Sequence, residues 1–413
     1  MNNLFFKESK INYFIVFLIL LGFCPIFINL DLVNYNLEVI KSDGYISQIM
    51  GYAMEDFVGI ALPLSLFAFS FAFLTYIFSK NYIFNLISTD LIVISILSIF
   101  AVLFVYFKYN FLHIRILKSS FAIIFFLLSY NFFNNLINSF SKKQYQQLIT
   151  IYVFFSNLVV VVYLINTFIT TNKIFFIFNF SNYQWNTYFP YFLYLVIFIN
   201  LNFCLKNKGY VAFFLSLLPF IGLINIQGGF IIIYNFFPGY SENYFVGVTF
   251  YFTLSIIIFH HLIKFLNLHI NENKFYFINL FLINVLVFSF LSFGYFYGYI
   301  NQVDERVRNF FYMINDVNYL SFFGIYGNPG KVFQGGTAHN DILELYSIFG
   351  IFIFIVYYRI YKILSKIYKK NDILIYSSLI SVIFIGGLST TVLMSFYLNY
   401  FIAITLAIYA NQK

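Results

Sequence analysis

The residues best suited to chemistry lie close together in a polar interval, 298–350, between two apolar runs. This interval holds two of the four arginines, Arg306 and Arg308, and it ends on Thr-Ala-His-Asn-Asp at the start of a new apolar run. An imidazole such as that of His339 can accept a proton near neutral pH. A guanidinium offers a planar pair of donors that matches phosphate oxygens. The interval is therefore the candidate active site.

The surroundings of His339 favour a general base. Asp341 followed three residues later by Glu344 predicts a helix N-cap and its partner, with the helix starting at about Ile342. His339 would then lie just before a helix N-terminus, whose positive field disfavours the imidazolium form. A surface histidine at a helix start remains the alternative, and we expect Asp341 and Glu344 to cap rather than to catalyse.

The arginines allow two interpretations. Arg306 and Arg308 could bind phosphate, or they could pair with Asp304 and Glu305 in a solvated turn. Arg115 belongs to a second basic cluster, for which interfacial snorkelling of the side chains is the simpler interpretation.

Composition indicates the elements that must position these residues. The chain of 413 residues is 62% hydrophobic and only 9% charged, and its mean hydropathy is +0.84. Many successive runs reach the ~20 apolar residues needed to cross a bilayer, without the ~10-residue alternation of a membrane β-barrel. The sequence predicts an all-α, polytopic membrane protein with about twelve transmembrane helices in a single membrane domain, 1–413. The expected spans are 11–30, 57–79, 88–107, 119–138, 148–168, 188–205, 210–226, 245–263, 275–297, 341–359, 373–389 and 394–410.

Charge asymmetry predicts the orientation. With the N-terminus in the cytoplasm, 15 of the 23 lysines and arginines fall on the cytoplasmic side, as the positive-inside rule requires. Both termini are then cytoplasmic, and the large loop 298–340 is outside. The Gly- and Pro-interrupted stretch 227–244 is expected at the outer surface.

Other polar residues carry weaker signals. We expect Asp90 to cap a helix, with an intramembrane proton site as the alternative. His260, His261 and His269 are expected as polar surface, because their spacing does not suit a metal site. The sequence therefore predicts no metal and no cofactor.

One stretch resembles a known family. The sequence Gly-Gly-Thr-Ala-His-Asn-Asp-Ile-Leu-Glu-Leu-Tyr-Ser-Ile-Phe-Gly-Ile-Phe, 335–352, resembles the histidine–asparagine signature of the O-antigen ligase and polymerase superfamily. Upstream, Arg306 followed by an aromatic run and Phe-Gly-Ile-Tyr-Gly at 323–327 resembles the family's arginine-to-glycine stretch in the same outer loop. The number of spans and the position of the loop agree with this family.

The resemblance implies a metal-independent glycosyltransferase of the bacterial inner membrane, with the loop in the periplasm. Its donor and acceptor would be glycans linked to undecaprenyl diphosphate. His339 would deprotonate the acceptor hydroxyl and Arg306 would hold the diphosphate, with Asn340 and Glu344 in support. Membrane lipid and a chain-length regulator would be its other partners, and nucleic acid would not be one.

The chain departs from the ligases of this family at one point. Ligases carry a Ser-Arg-Gly stretch near mid-chain, where this sequence has Ile-Gln-Gly-Gly at 226–229. Arg115, Arg308 or Lys331 would have to replace the missing arginine. We therefore expect an O-antigen polymerase, with an O-antigen ligase as the alternative. A polysaccharide flippase is the second alternative, and it would need charged residues along its spanning helices.

Overall fold

A computed structural model gives the architecture of the chain. It describes residues 2–24, 27–30, 60–80, 86–109, 114–171, 182–207, 219, 244–266, 274–275, 278–279, 341–387 and 392–412. This part is almost entirely helical, which confirms the all-α class. The expected spans 210–226 and 275–297 and the loop 298–340 lie wholly or almost wholly outside the described residues.

Eleven α-helices and one strand pair make up the described part. The helices are α1 (Asn2–Leu21), α2 (Leu64–Lys80), α3 (Thr89–Tyr109), α4 (Ile114–Asn138), α5 (Lys142–Thr171), α6 (Asn182–Asn207), α7 (Tyr244–Phe265), α8 (Asp341–Phe349), α9 (Ile353–Lys369), α10 (Ile373–Ser381) and α11 (Phe396–Ala410). Strands β1 (Phe27–Leu30) and β2 (Ile60–Pro63) pair antiparallel, with Phe27 opposite Pro63.

Two of these helices are long and apolar enough to cross a membrane by themselves. They cover Ser119–Asn138 in α4 and Lys142–Val162 in α5, and shorter apolar helices of 10–17 residues accompany them in the described part. Helices of this length and composition match the thickness of a bilayer core.

The first expected span ends, and the second begins, differently from the prediction: strand β2 and not a helix occupies residues 60–63. Helix α1 stops at Leu21, and Gly22 and Phe23 close its last turn by donating to Ile19 and Leu20. Residues 27–30 are a strand rather than the end of a helix. A Cβ on Gly22 would lie 2.8 Å from the Tyr400 ring, so the chain leaves the helix where only glycine fits.

The expected span 341–359 is also not one straight helix. A 3₁₀ turn, Gly350–Phe352, separates α8 from α9, and Gly350 has a φ of 58°. Glycine adopts this left-handed conformation without a steric cost. Helix α9 then continues to Lys369, ten residues beyond the predicted end.

Helix α11 forms the centre of the packing. All residues from 397 to 410 are buried, and α11 packs against α4, α6, α9 and α2. Aromatic rings fill the space around it. Phe401 lies 4.6 Å from Phe192 and 5.0 Å from Phe23 between ring centroids, and Tyr400 stacks on Phe125 at 5.5 Å.

Several helices that carry lysines at their ends meet around the C-terminal end of α11. Tyr145, near the start of α5, donates to the Ile408 carbonyl at 2.7 Å. Lys370, just after α9, donates to the Ala410 carbonyl at 3.0 Å, and Lys206 of α6 donates to Gln412 at 3.0 Å. We call this region the lysine end. The lysines in or beside its helix termini are Lys142, Lys143, Lys206, Lys366, Lys369 and Lys370, and Lys362 lies two turns before the end of α9.

Candidate functional site

Most residues predicted for the site lie outside the described residues. This holds for His339, Asn340, Arg306, Arg308 and Lys331. The backbone of Arg115 lies in the first turn of α4, and its side chain is outside the described part. Of the predicted set, the structure therefore describes in full only Glu344, together with its helix neighbour Asp341.

Asp341 lies at the start of its helix, where the sequence predicts a cap. Helix α8 begins at Asp341, one residue before the expected start, and the carboxylate reaches another segment. Its Oδ2 accepts the backbone N–H of Leu393 at 2.7 Å, and the N–H groups of Val392 and Met394 also face it. Successive N–H groups of a turn form a concave site for an anion. This turn thus offers donors to a side chain that is fully buried.

The approach of Asp341 to α10 depends on a glycine. Helix α10 widens into a π turn at Val382–Gly386 and ends beside Asp341. A Cβ added to Gly387 would lie 3.2 Å from Asp341 Oδ2. Among the described residues, no group hydrogen-bonds the other oxygen, Oδ1. One carboxylate oxygen is thus fixed and the other is held in the interior without a described partner.

Glu344 lies one turn further along α8 and is also buried, with 2% of its surface exposed. Residues three apart on a helix occupy the same face, so the two carboxylates are neighbours. Burial of two acids in one short helix is costly unless hydrogen bonds compensate it. The predicted supporting role of Glu344 is compatible with this position and stays a prediction.

Asp341 and the lysine end are at opposite ends of α11. The turn at 392–394 precedes α11, whose fifteen residues run to Ala410, a length of about 22 Å. Helix α10 and its π turn together cover a similar length, from Ile373 to Gly386. Asp341 therefore lies at the end of the bundle away from the lysine end.

Asp90 lies in the first turn of α3, where the sequence predicts a cap, and it also has a distant partner. Its Oδ2 forms an ion pair with Arg359 of α9, and the same Arg359 nitrogen donates to Ser88 Oγ at 2.9 Å. The second guanidinium nitrogen donates to Asn131 Oδ1 in α4. Asn131 in turn donates to Ser88 Oγ and to the Leu86 carbonyl, each at 2.9 Å. The partner is 269 residues away, which is why local sequence could not reveal it.

His260 is not polar surface. It is buried, its Nδ1 lies 3.0 Å from the Tyr368 hydroxyl, and its ring packs on Phe275. His261 is exposed, as expected. His269 lies outside the described residues. Within the described part of the chain, no group of three or more His, Cys, Asp or Glu residues could hold a metal ion.

A charged cluster closes the lysine end. The Asp372 carboxylate is fully buried and forms an ion pair with Lys206. Burial raises the pKa of Asp372, while Lys206 and Asn202 lower it in part. Burial lowers the pKa of Lys370, and Asp372 opposes that shift. These contacts join the ends of α6 and α9 to the start of α10.

Comparison with known proteins adds no relative to this picture. No protein-family model matches the chain, and neither a curated protein nor a solved structure is similar to it.

The Asp341 contact can be tested by unfolding. Asp341→Leu keeps a similar volume but leaves the Leu393 N–H without its acceptor, which should cost about 1–3 kcal/mol. Asp341→Asn retains an acceptor oxygen and should cost less. Thermal unfolding of the detergent-purified protein measures both. Equal stability of Asp341→Leu and the parent would contradict a fastening role for this carboxylate.

For the Asp90–Arg359 pair, we expect the losses of stability in the two single variants not to add in the double variant. Arg359→Gln leaves a half-buried carboxylate without its partner, and loss of one partner of a buried pair typically costs about 3–5 kcal/mol. We expect the lower end, because 21% of the Arg359 side chain is exposed. Asp90→Asn combined with Arg359→Gln should regain most of the loss.

The exposed neighbour Lys362 provides the control, since Lys362→Gln should leave the unfolding midpoint nearly unchanged. Additive losses in the double variant would mean that the two side chains do not stabilise each other.

Proposed function

We propose that the chain is a multi-pass bacterial inner-membrane glycosyltransferase, an O-antigen polymerase. It joins oligosaccharide repeat units linked to undecaprenyl diphosphate at the periplasmic face. His339 takes the proton of the acceptor hydroxyl, whose oxygen attacks the anomeric carbon of the donor. The bond from that carbon to the diphosphate breaks, and its electron pair leaves with the diphosphate, whose charge Arg306 stabilises.

One observation carries this proposal. The segment that resembles the histidine–asparagine signature opens α8, and Asp341 of that segment is fastened by the turn before α11. That turn is at the end of the bundle away from the lysines. By the positive-inside rule, the lysine end faces the cytoplasm, so the signature faces the side on which lipid-linked glycans are displayed.

Cross-helix contacts support the proposed order of twelve spans. The proposed topology assigns Tyr145, Lys206, Lys370 and Gln412 to the cytoplasmic side, and these residues contact one another or the end of α11. It assigns Asp341 and Leu393 to the outer side, and these two also meet. Pairs from opposite sides of the membrane could not make such contacts.

A transporter is the second candidate, and the Asp90–Arg359 pair favours it. A flippase needs charged groups within its spanning helices, and this pair joins α3 to α9 in a half-buried position. The pair is satisfied by Ser88 and Asn131 as well, which suits a structural tie. A stable Asp90→Asn/Arg359→Gln variant should therefore keep polymer synthesis, whereas a transporter that uses this pair would lose function.

The glycolipid profile of a deletion strain tests the proposed reaction. Without a polymerase, lipopolysaccharide should carry a single repeat unit, because a separate ligase still transfers it. The parent gene should restore the ladder of long chains, and His339→Gln should not, since loss of a general base costs about 10²–10⁴ in rate. Arg306→Lys should also lose most polymer, because a point charge does not replace a bidentate fork.

The exposed His261 supplies the matched control, since His261→Gln should restore the ladder. Bare core with long polymer left on the lipid carrier would indicate the ligase instead. Normal polymer from an accumulated His339→Gln protein would reject His339 as the base.

A further inference from the structure

Helix α9 and the 3₁₀ turn before it share one exposed face, which is apolar over its first part and basic over its second part. Ile351, Phe354, Ile355 and Tyr358 are exposed by 38%, 51%, 37% and 56%. Further along the same helix, the exposed residues are lysines. At 100° per residue, the positions of both groups fall on one face. The lysines are Lys362, Lys366 and Lys369.

The change from apolar to basic takes four residues, or about 6 Å of helix. Lys362 follows Tyr358 by four residues, about one helical turn, and its Nζ lies 4.5 Å from the centroid of the Tyr358 ring. Tyrosine rings and lysine stems of this kind lie at the level of lipid headgroups, with the apolar body toward the hydrocarbon. The step from Tyr358 to Lys362 therefore marks a surface of the bilayer.

Helix α5 shows the same boundary in the opposite chain direction. Its first exposed residues, including Gln146, Gln147 and Thr150, are polar, and Phe154 and Leu158 then follow on that face with exposures of 61% and 40%. Both boundaries face the lysine end, because the start of α5 and the segment after α9 both contact the end of α11. The boundaries on the antiparallel helices α5 and α9 thus indicate the same membrane surface.

The α9 stripe differs from the α5 boundary in the position of its lysines. In α5, the uncharged Gln147 and Thr150 lie between the exposed Lys142 and Lys143 and the apolar Phe154. In α9, lysines follow Tyr358 directly in successive turns, and the sequence from 350 to 371 contains no acidic residue. The nearby Asp372 is buried and is paired with Lys206. The basic stripe continues the apolar stripe without interruption, so a ligand with an anionic head and apolar chains fits both parts.

We propose that Lys362, Lys366 and Lys369 bind the phosphate headgroups of anionic phospholipids in the leaflet at the lysine end. The acyl chains lie along Phe354, Ile355 and Tyr358. This inference rests on the membrane placement in the proposed function, and it does not depend on the glycosyl transfer. Each lysine near a membrane surface contributes about a fivefold gain in affinity for anionic lipid.

The test uses the full chain in nanodiscs of phosphatidylcholine with added phosphatidylglycerol, followed by native mass spectrometry of the retained lipid. The triple variant Lys362→Gln/Lys366→Gln/Lys369→Gln should retain phosphatidylglycerol more weakly by about fivefold per lysine removed. The control triple Lys142→Gln/Lys143→Gln/Lys264→Gln removes the same charge from exposed helix ends. It should retain the lipid nearly as the parent does.

Equal loss in both triples would overturn the proposal in favour of diffuse surface charge, and full retention in the α9 triple would overturn it outright. If the α9 triple does not accumulate, Lys366→Gln alone should still weaken retention about fivefold, and no change would again overturn the proposal. Release of the parent protein from membranes by alkaline carbonate would instead refute the membrane placement itself.

Discussion

Burial of α11 on every side is the constraint on which the rest of the structure depends. A helix surrounded by protein cannot turn its polar groups to water, so neighbouring helices must satisfy them. Asn399 donates to the carbonyls of Ala122 and Leu393, each at 2.9 Å. Thr405 lies 2.7 Å from the Tyr152 hydroxyl, and Tyr400 reaches the Ile19 carbonyl at 2.9 Å. These bonds fix the helices around α11 in register.

The same helix separates the two chemically different ends of the bundle. Before its start, the turn at 392–394 holds the Asp341 carboxylate through a backbone N–H. Past its end, Lys370 donates to the Ala410 and Gln412 carbonyls at 3.0 and 2.6 Å. Cations near a helix C-terminus and an anion held by N–H groups near an N-terminus both suit the helix dipole. The proposed membrane orientation and the proposed position of the site both rest on this one helix.

Within the described residues, the sequence predicted most of the helical segments, because long apolar runs leave few alternatives, but strands β1 and β2 fall inside expected spans. It could not predict where some helices break. The left-handed φ of Gly350 depends on how α8 and α9 pack. The sequence alone does not distinguish this glycine from the others in the chain. The sequence also could not predict contacts between distant segments. Asp341 and Asp90 both have the local sequence of a helix cap. In the structure, however, Asp341 accepts a hydrogen bond from Leu393, and Asp90 forms an ion pair with Arg359.

Of the candidate site, the structure describes the two acids that follow the histidine in sequence. Asp341 and Glu344 lie in α8, and the histidine and arginines that the sequence selects precede them outside the described residues. A short helix that enters the bundle from one end, with its acids buried, is well suited to hold a preceding loop in a constant position. This is the physical link between the fold and the proposed transfer reaction.

Membrane orientation is the central claim, and reporter fusions measure it most directly. Alkaline phosphatase, which folds only in the periplasm, and green fluorescent protein, which fluoresces in the cytoplasm, can each be fused after Asn318 and after Lys369. With the lysine end in the cytoplasm, the Asn318 fusions should give phosphatase activity without fluorescence, and the Lys369 fusions should give the reverse. Fluorescence at Asn318 with phosphatase activity at Lys369 would put the signature loop in the cytoplasm and contradict both the orientation and the proposed reaction.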